Sequence, residues 1–283
     1  MHKQIPSACA PLALAGFILL LYLFCATRST LWDRDEPKFA AASVEMLKSG
    51  NYLYPVYNGA LRPDKPILIY WLMTLPLRWW GATELACRFF SVLGVVAACL
   101  LTYLCGRRLF SASAGLWAMA ILASTPEMLG IGTAATADAV LLACITAAMT
   151  VFLYSLRAGF TVWHALLTAL ALGAALLEKG PVGEAVLLPA IAGTWWFARG
   201  QVQIGRRGIL NALLATLAAG VIFLCWAVPA NQATGGEFLR QFRQCIPLLF
   251  AAIDHRQAHA TFLPGRRCDR DRSNAATYNQ ESN

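Results

Sequence analysis

Long apolar runs separated by short polar segments constrain this chain more than any other feature of its sequence. Seven of them approach the roughly 20 residues that an α-helix needs to cross a bilayer, and they cover residues 11–27, 85–105, 114–130, 138–156, 162–177, 182–198 and 209–230. Only 13% of the residues are charged, against about 25% in soluble domains. The sequence therefore predicts an all-α integral membrane protein.

Arginines in the short connecting segments predict how these spans are oriented. With a cytoplasmic N-terminus, every short cytoplasmic loop carries them, as the positive-inside rule requires, at Arg107, Arg108, Arg157, Arg199, Arg206 and Arg207. The long first loop, residues 28–84, then lies outside the cytoplasm. The net charge of +8 is accordingly assigned to contact with anionic membrane lipid and not with nucleic acid.

The first 30 residues allow two interpretations. Lys3, the apolar run after it and the small residues near Ala26 fit a cleavable secretory signal. An uncleaved first span is favoured, because it sets the orientation that all later spans follow.

The nine cysteines contain no C-x-x-C pair, and several lie inside apolar runs, among them Cys25, Cys99, Cys144 and Cys225. Cysteines in such a context are expected to be small buried hydrophobic side chains and not disulfides or metal ligands.

The first loop concentrates polar and aromatic residues between the first two spans. A short amphipathic helix is predicted at 37–48, with Asp35 or Glu36 as its cap, Pro37 in its first turn and Gly50 after its end. A second apolar segment, at 67–80, is short for a span. We expect Pro76 to interrupt it and its tryptophans to lie in the membrane interface.

Several motifs of this loop and of later segments carry a resemblance to a known family. They occur in order at Asp35-Glu36, Glu45-Met46-Leu47, Ser49-Gly50, Asn58-Gly59, Lys65-Pro66, Tyr70-Trp71, Gly106-Arg107-Arg108, Ala135-Thr136-Ala137-Asp138 and Lys179-Gly180-Pro181. Over residues 11–242 the chain resembles membrane glycosyltransferases of the aminoarabinose transferase and protein O-mannosyltransferase type. The resemblance implies a GT-C fold, in which a transmembrane helix bundle has a large first extracytoplasmic loop carrying juxtamembrane helices. It also implies the bacterial inner membrane.

The resemblance further implies transfer of a sugar from a polyprenyl-phosphate donor to an envelope lipid or glycan similar to lipid A. Protein O-mannosylation is the nearest alternative. A fragment or pseudoenzyme that only binds the carrier lipid is another, because residues 1–242 correspond to the N-terminal part of the family and the polar tail at 243–283 is atypical. We expect that tail to be disordered or the product of a frameshift, and whether the chain is itself an enzyme stays open. A transporter is disfavoured, because the charges collect at one face.

Asp35 is the catalytic residue that the resemblance implies. Polyprenyl phosphate is a good leaving group, so transfer needs a base for the acceptor and cations for the developing phosphate charge. A single displacement with one base would invert the anomeric centre. A helix cap or a surface charge is the alternative role for Asp35.

The resemblance also implies four substrate-binding residues: Lys65, Lys179, Asp138 and Glu36. Each has a structural alternative: an ordinary interfacial lysine for Lys65, an interfacial pair with Glu178 for Lys179, and a helix cap for Asp138 and for Glu36. Lys65 lies between Pro63 and Pro66, where a point charge suits a lipid phosphate.

No cofactor is required by this chemistry, although Asp64 is a candidate ligand for a divalent metal ion. A metal site needs further ligands, and none of the four histidines matches a family position. Two residues depart from the family: Phe39 replaces a tyrosine, and Asp64 stands where glutamate is common. We expect Arg62 and Arg88 to be structural or to face lipid. Three tyrosines of the loop are expected to anchor it in the membrane interface, with stacking against a sugar as the alternative: Tyr52, Tyr54 and Tyr57.

Overall fold

A computed structural model of the chain describes residues 9–28, 30–31, 35–198 and 206–242. Within these residues the fold is helical apart from one short β-hairpin. The chain divides into the units Met1–Leu239 and Arg240–Asn283. The second unit lies almost wholly outside the described residues, and so does the tail at 243–283, whose predicted disorder stays a prediction.

The first half of the fold contains the first apolar run and the segments of the long first loop and second run that follow it. They are α1 (Cys9–Ala26), α2 (Glu36–Ser49), the antiparallel strands β1 (Val56–Tyr57) and β2 (Ala60–Leu61), α3 (Leu68–Trp80) and α4 (Glu84–Leu109). The later segments are all helices: α5 (Ala112–Ser124), α6 (Pro126–Gly132), α7 (Asp138–Ala158), α8 (Val162–Lys179), α9 (Val182–Ala198) and α10 (Arg206–Ala233).

Five helices of the described residues are long and apolar enough to cross a membrane, namely α1, α4, α7, α8 and α10. The predicted span at 114–130 is not one straight helix, because α5 and α6 meet at an angle of 66°. Pro126 explains the break, since it lacks the N–H that would continue the helix. The pair makes a sixth span if counted as one, and α9 is a shorter apolar helix. The count of seven stays a prediction.

The predicted helix of the first loop is confirmed as α2. Pro37 occupies its first turn, and Gly50 ends it in the left-handed conformation with φ 69°. This conformation lets the N–H of Gly50 return to the carbonyl of Met46 at 3.0 Å, and glycine adopts it at little steric cost.

The segment between α2 and α4 folds as a hairpin followed by a helix. Asn58 and Gly59 both have positive φ, as the tight turn between β1 and β2 requires. The prediction that Pro76 interrupts the next segment is wrong, because α3 continues through it. The exposed Trp79 and Trp80 end this helix.

Helix α4 is the centre of the bundle, since it packs against α1, α3, α5, α6 and α7. It approaches the start of α7 closely: a Cβ on Gly94 would lie 2.8 Å from the carbonyl carbon of Ala139. Glycine therefore lets the two backbones come together directly beside Asp138. The apolar core here includes Ile18, Tyr22, Val92 and Val95.

Several contacts bring the first loop to one end of the bundle. Trp226, in the last turns of α10, donates from Nε1 to the carbonyl of Leu53 at 2.8 Å. Trp71 likewise donates to the carbonyl of Tyr52 at 2.7 Å. The loop is thus held against α10 and α3, and its cytoplasmic or extracytoplasmic location stays a prediction.

The seven cysteines within the described residues are free thiols. Cys99 is buried, as predicted, but Cys225 is exposed on α10. The expected burial of Cys225 was wrong, because an apolar helix facing lipid leaves some of its apolar side chains outside the protein core.

Candidate active site

Asp35 lies at the start of α2, immediately before its first helical residue. Its side chain makes no capping hydrogen bond with the helix and is about half exposed, at 54%. Lys38 approaches it, with Nζ 3.6 Å from Oδ1. The capping role is therefore not supported, and the carboxylate has an open surface from which it can reach a substrate.

Glu36 and Arg88 form a buried ion pair beside that position. Arg88 Nε donates to Glu36 Oε1 at 2.9 Å and Nη2 donates to Oε2 at 3.0 Å. The guanidinium also donates to the carbonyl oxygens of Ala26 at 2.8 Å and Thr30 at 2.9 Å, while Glu36 Oε1 accepts the N–H of Ala135 at 2.6 Å. The pair thus ties α1, α2, α4 and the segment before α7 together.

This geometry corrects the roles expected of Glu36. It lies inside α2 and is not the cap. Because its carboxylate has no exposed surface and is engaged by Arg88 and a backbone N–H, a contact with substrate is not supported either. For Arg88, the structural alternative is confirmed and the lipid-facing one is wrong, since the side chain is fully buried.

Asp138 and Lys179 form an ion pair between the start of α7 and the end of α8. Asp138 is the first helical residue and makes no cap, since Ala137 holds the N-cap position without a side-chain bond. The alternative pairing of Lys179 with Glu178 is not formed, because Lys179 contacts Asp138. Glu178 is instead fully buried, and its two oxygens lack a hydrogen-bond partner among the described residues.

Lys65 lies in the turn between β2 and α3 and is half-buried. Burial lowers the pKa of its ammonium group, and the positive charge of Lys179 lowers it further. The carboxylates of Asp138, Asp35 and Asp64 oppose this shift. These residues come from three separate segments of the chain, and they share one electrostatic environment.

Asp64 contacts Arg62, with 3.8 Å between Arg62 Nε and Asp64 Oδ2. No group of three side chains able to hold a metal ion occurs in the parts of the chain that the structure describes. A guanidinium beside the carboxylate also opposes the approach of a cation. The metal role expected of Asp64 therefore gains no support from its surroundings.

Phe39 is buried on α2, and its ring lies 5.6 Å from that of Tyr70 and 4.7 Å from the guanidinium carbon of Arg62. The ring that lacks a hydroxyl is thus packed between an aromatic and a cation. Arg62 is 6% exposed, so the lipid-facing alternative for this residue is wrong.

The residues brought together have complementary chemistry. Lys65 and Lys179 supply two cations at one end of an apolar bundle, and Asp35 and Asp138 supply two partly exposed carboxylates. Cations that are partly withdrawn from water interact strongly with an anionic group, and a carboxylate can accept a proton from a hydroxyl. The arrangement suits a phosphate-bearing lipid substrate.

Residues 8–234 match the family model of the dolichyl-phosphate-mannose-protein mannosyltransferases. The chain belongs to this family. A relative from Proteus mirabilis (strain HI4320), undecaprenyl phosphate-alpha-4-amino-4-deoxy-L-arabinose arabinosyl transferase 2, is 30% identical over 226 residues, which are 78% of this chain and 40% of the relative. Transferase 1 of the same kind from Sodalis glossinidius (strain morsitans) is 32% identical over 229 residues, covering 77% of this chain and 39% of the relative.

Solved structures of other proteins have the same fold. The crystal structure of ArnT from Cupriavidus metallidurans in the apo state has a TM-score of 0.71 at 21% identity and covers 82% of this chain and 43% of that one. The Archaeoglobus fulgidus oligosaccharyltransferase in the apo form has a TM-score of 0.58 at 17% identity, over 75% and 29%. The predicted GT-C membrane fold is confirmed, and the chain spans about 40% of the length of the relatives named above.

Sequence reasoning missed part of this site. A signal for Arg88 was available, because an ionisable residue inside a predicted span needs a buried partner. The pairing of Asp138 with Lys179 had no such signal, since it joins residues 41 positions apart. Arg62 and Tyr70 also have buried donor atoms without a hydrogen-bond partner. The sequence carries no signal for them, because their burial depends on how the loop folds over α2.

Proposed function

We propose that this protein takes part in transferring a sugar from a polyprenyl-phosphate carrier to an envelope lipid or glycan. The observation that supports the proposal best is the convergence of Lys65, Lys179, Asp138 and Asp35 at one end of a membrane bundle. Family membership and the names of the relatives, which specify undecaprenyl phosphate and aminoarabinose, favour this donor class. The family model favours protein O-mannosylation as the second candidate.

In this proposal Lys65 and Lys179 bind the phosphate of the carrier lipid. The bond from the anomeric carbon to the phosphate oxygen breaks, and the lysines stabilise the negative charge that the phosphate gains. Asp35 accepts the proton of the acceptor hydroxyl as the new glycosidic bond forms. A single displacement of this kind inverts the anomeric configuration.

Asp138 orients Lys179 through their ion pair. Because the carboxylate is 42% exposed, it can also contact the sugar. The reaction takes place on the extracytoplasmic face of the bacterial inner membrane, where the first loop lies under the proposed orientation.

The test uses membranes that contain the protein and a radiolabelled aminoarabinose or mannose on undecaprenyl phosphate. We expect label to move to lipid or protein acceptors, and we expect Asp35→Asn to abolish that movement. Glu84→Gln is the matched control, because Glu84 is an exposed carboxylate in the first turn of α4.

Wild-type transfer that persists in Asp35→Asn would remove Asp35 from the catalytic role. Binding of the carrier without any transfer by the wild type would support a non-catalytic carrier-binding protein and contradict the transferase proposal. The acceptor that receives label separates envelope lipid from protein.

A further inference from the structure

Arg62 is held in the loop by its backbone and by the faces of two aromatic rings. Its N–H donates to the carbonyl of Pro55 at 3.0 Å. Its guanidinium carbon lies 4.7 Å from the centre of the Phe39 ring and 5.9 Å from that of Tyr57. Stacking of this kind uses the flat faces of the guanidinium. It leaves the N–H groups at the edge for other partners.

Those N–H groups are not satisfied within the described chain. Nε and Nη1 are both buried without a hydrogen-bond acceptor. The ionic partner, Asp64 Oδ2, lies 3.8 Å from Nε, which is too long for a hydrogen bond. A buried donor that makes no bond is costly, more so when it is charged. Such a group calls for an acceptor that the chain itself does not provide.

Tyr70 adds a second unsatisfied donor at the same place. Its hydroxyl is buried and has no hydrogen-bond partner in the described residues. Burial raises the pKa of Tyr70, and the positive charge of Arg62 and the approach of its N–H groups to the phenol oppose that rise. The two side chains are therefore adjacent, although no contact between them has the geometry of a hydrogen bond. The orphaned atoms are thus Arg62 Nε, Arg62 Nη1 and the Tyr70 hydroxyl, and all three can donate.

These donors border the candidate active site. The charge of Asp35 acts both on the Tyr70 hydroxyl and on the Lys65 ammonium. Arg62 is also three residues before Lys65 in the same turn. A ligand in contact with these donors would therefore lie beside the catalytic carboxylate.

We propose that Arg62 and Tyr70 form an anion subsite that binds a substrate phosphate, with Asp64 occupying the edge of the guanidinium until the phosphate arrives. The inference rests on the proposed function and extends it to Arg62, which lies outside the matched family motifs, and to the side chain of Tyr70. A charged guanidinium N–H donates strongly to a phosphate oxygen, and the Tyr70 hydroxyl can donate to a second. Asp64 is 57% exposed and weakly held, so a phosphate can replace its carboxylate.

The test measures equilibrium binding to the purified full chain in phosphatidylcholine nanodiscs. The probes are undecaprenyl phosphate, uncharged undecaprenol and monophosphoryl lipid A as a phosphorylated acceptor. One charge-assisted hydrogen bond is worth about 1.5–3 kcal/mol, or roughly ten- to hundredfold in affinity. We expect Arg62→Gln to lower the affinity for a phosphate-bearing probe by about that factor and to leave undecaprenol binding unchanged.

Matched variants separate a ligand contact from a packing role. Tyr70→Phe keeps the buried ring, and we expect it to lower the affinity for the same probe. Asp64→Asn removes the competing carboxylate, and we expect affinity to stay equal or rise. Arg78→Gln, an exposed arginine at the end of α3, is expected to change nothing.

The probe that responds to Arg62→Gln identifies the source of the phosphate, either the carrier or the acceptor. Unchanged affinity for both phosphate-bearing probes in folded Arg62→Gln and Tyr70→Phe would overturn the subsite. Weaker binding in Asp64→Asn would also overturn it, since that result means that Asp64 organises the loop. A wild type that binds neither phosphate-bearing probe contradicts the proposed function itself.

Discussion

Lys65 is the residue whose surroundings bear most directly on phosphate binding. Burial and Lys179 disfavour its charged form, so the pKa of Lys65 lies below its ordinary value. The folded protein therefore releases this proton at a lower pH than the unfolded chain does. Keeping the charge costs stability below the lowered pKa, and the cost disappears as the pH rises from the lowered pKa to the ordinary one.

A bound phosphate reverses that preference, because it favours the charged lysine. We predict that affinity for undecaprenyl phosphate falls as the pH rises through the lowered pKa, before the ordinary lysine range is reached. Arginine stays protonated throughout this range, so Lys65→Arg should keep its affinity there. Equilibrium binding across the alkaline range checks this, with Lys48→Arg as the control. Parallel profiles for wild type and Lys65→Arg would contradict it.

At the scale of elements, the Glu36–Arg88 pair determines where α2 begins relative to the bundle. It joins α2 to α4 directly, to α1 through the carbonyl of Ala26 and to the segment before α7 through the N–H of Ala135. Asp35 immediately precedes Glu36, and Asp138 follows Ala135 by three residues. The Glu36 carboxylate thus positions the start of α2, next to Asp35, and the start of α7, at Asp138.

We predict that Arg88→Met lowers the free energy of unfolding by about 3–5 kcal/mol, because it leaves the Glu36 carboxylate buried without its charged partner. Unfolding in sodium dodecyl sulfate, followed by tryptophan fluorescence, measures this. Arg107→Met, at an exposed position near the other end of α4, is the control. The double variant Glu36→Leu/Arg88→Met should lose less than the two single variants combined. Equal stability of Arg88→Met and the control would exclude the pair as a support of the site.

At the scale of the whole molecule, much of the fold could be predicted because its signals are local. Apolar runs predicted α1, α4, α7, α8 and α10, and Pro37 with Gly50 predicted the bounds of α2. The broken span was harder to foresee: Pro126 lies inside an apolar run whose length alone suggested one helix. Apolar length therefore indicates membrane residence better than it indicates the continuity of a span.

The candidate site could be predicted only in part, for a physical reason. Motifs identified Asp35 and Lys65, since both lie in a polar loop that packing alone does not explain. The partners of charged residues depended on tertiary contacts between distant segments. The substrate role expected of Glu36 and the alternative pairing of Lys179 with Glu178 came from local sequence, whereas Glu36 pairs across 52 residues and Lys179 across 41.

The molecule as a whole gathers cations from distant segments at one end of a membrane bundle, and the central claim is that two of them bind the phosphate of a carrier lipid. Phosphorus–nitrogen dipolar recoupling by solid-state NMR tests it directly. The sequence has few lysines to label, at positions 3, 38, 48, 65 and 179. With undecaprenyl phosphate bound to ¹⁵N-lysine protein, we predict dephasing of two side-chain signals, assigned to Lys65 and Lys179 by their loss in Lys65→Arg and Lys179→Arg. Dephasing of neither signal, with the lipid bound, would contradict the claim.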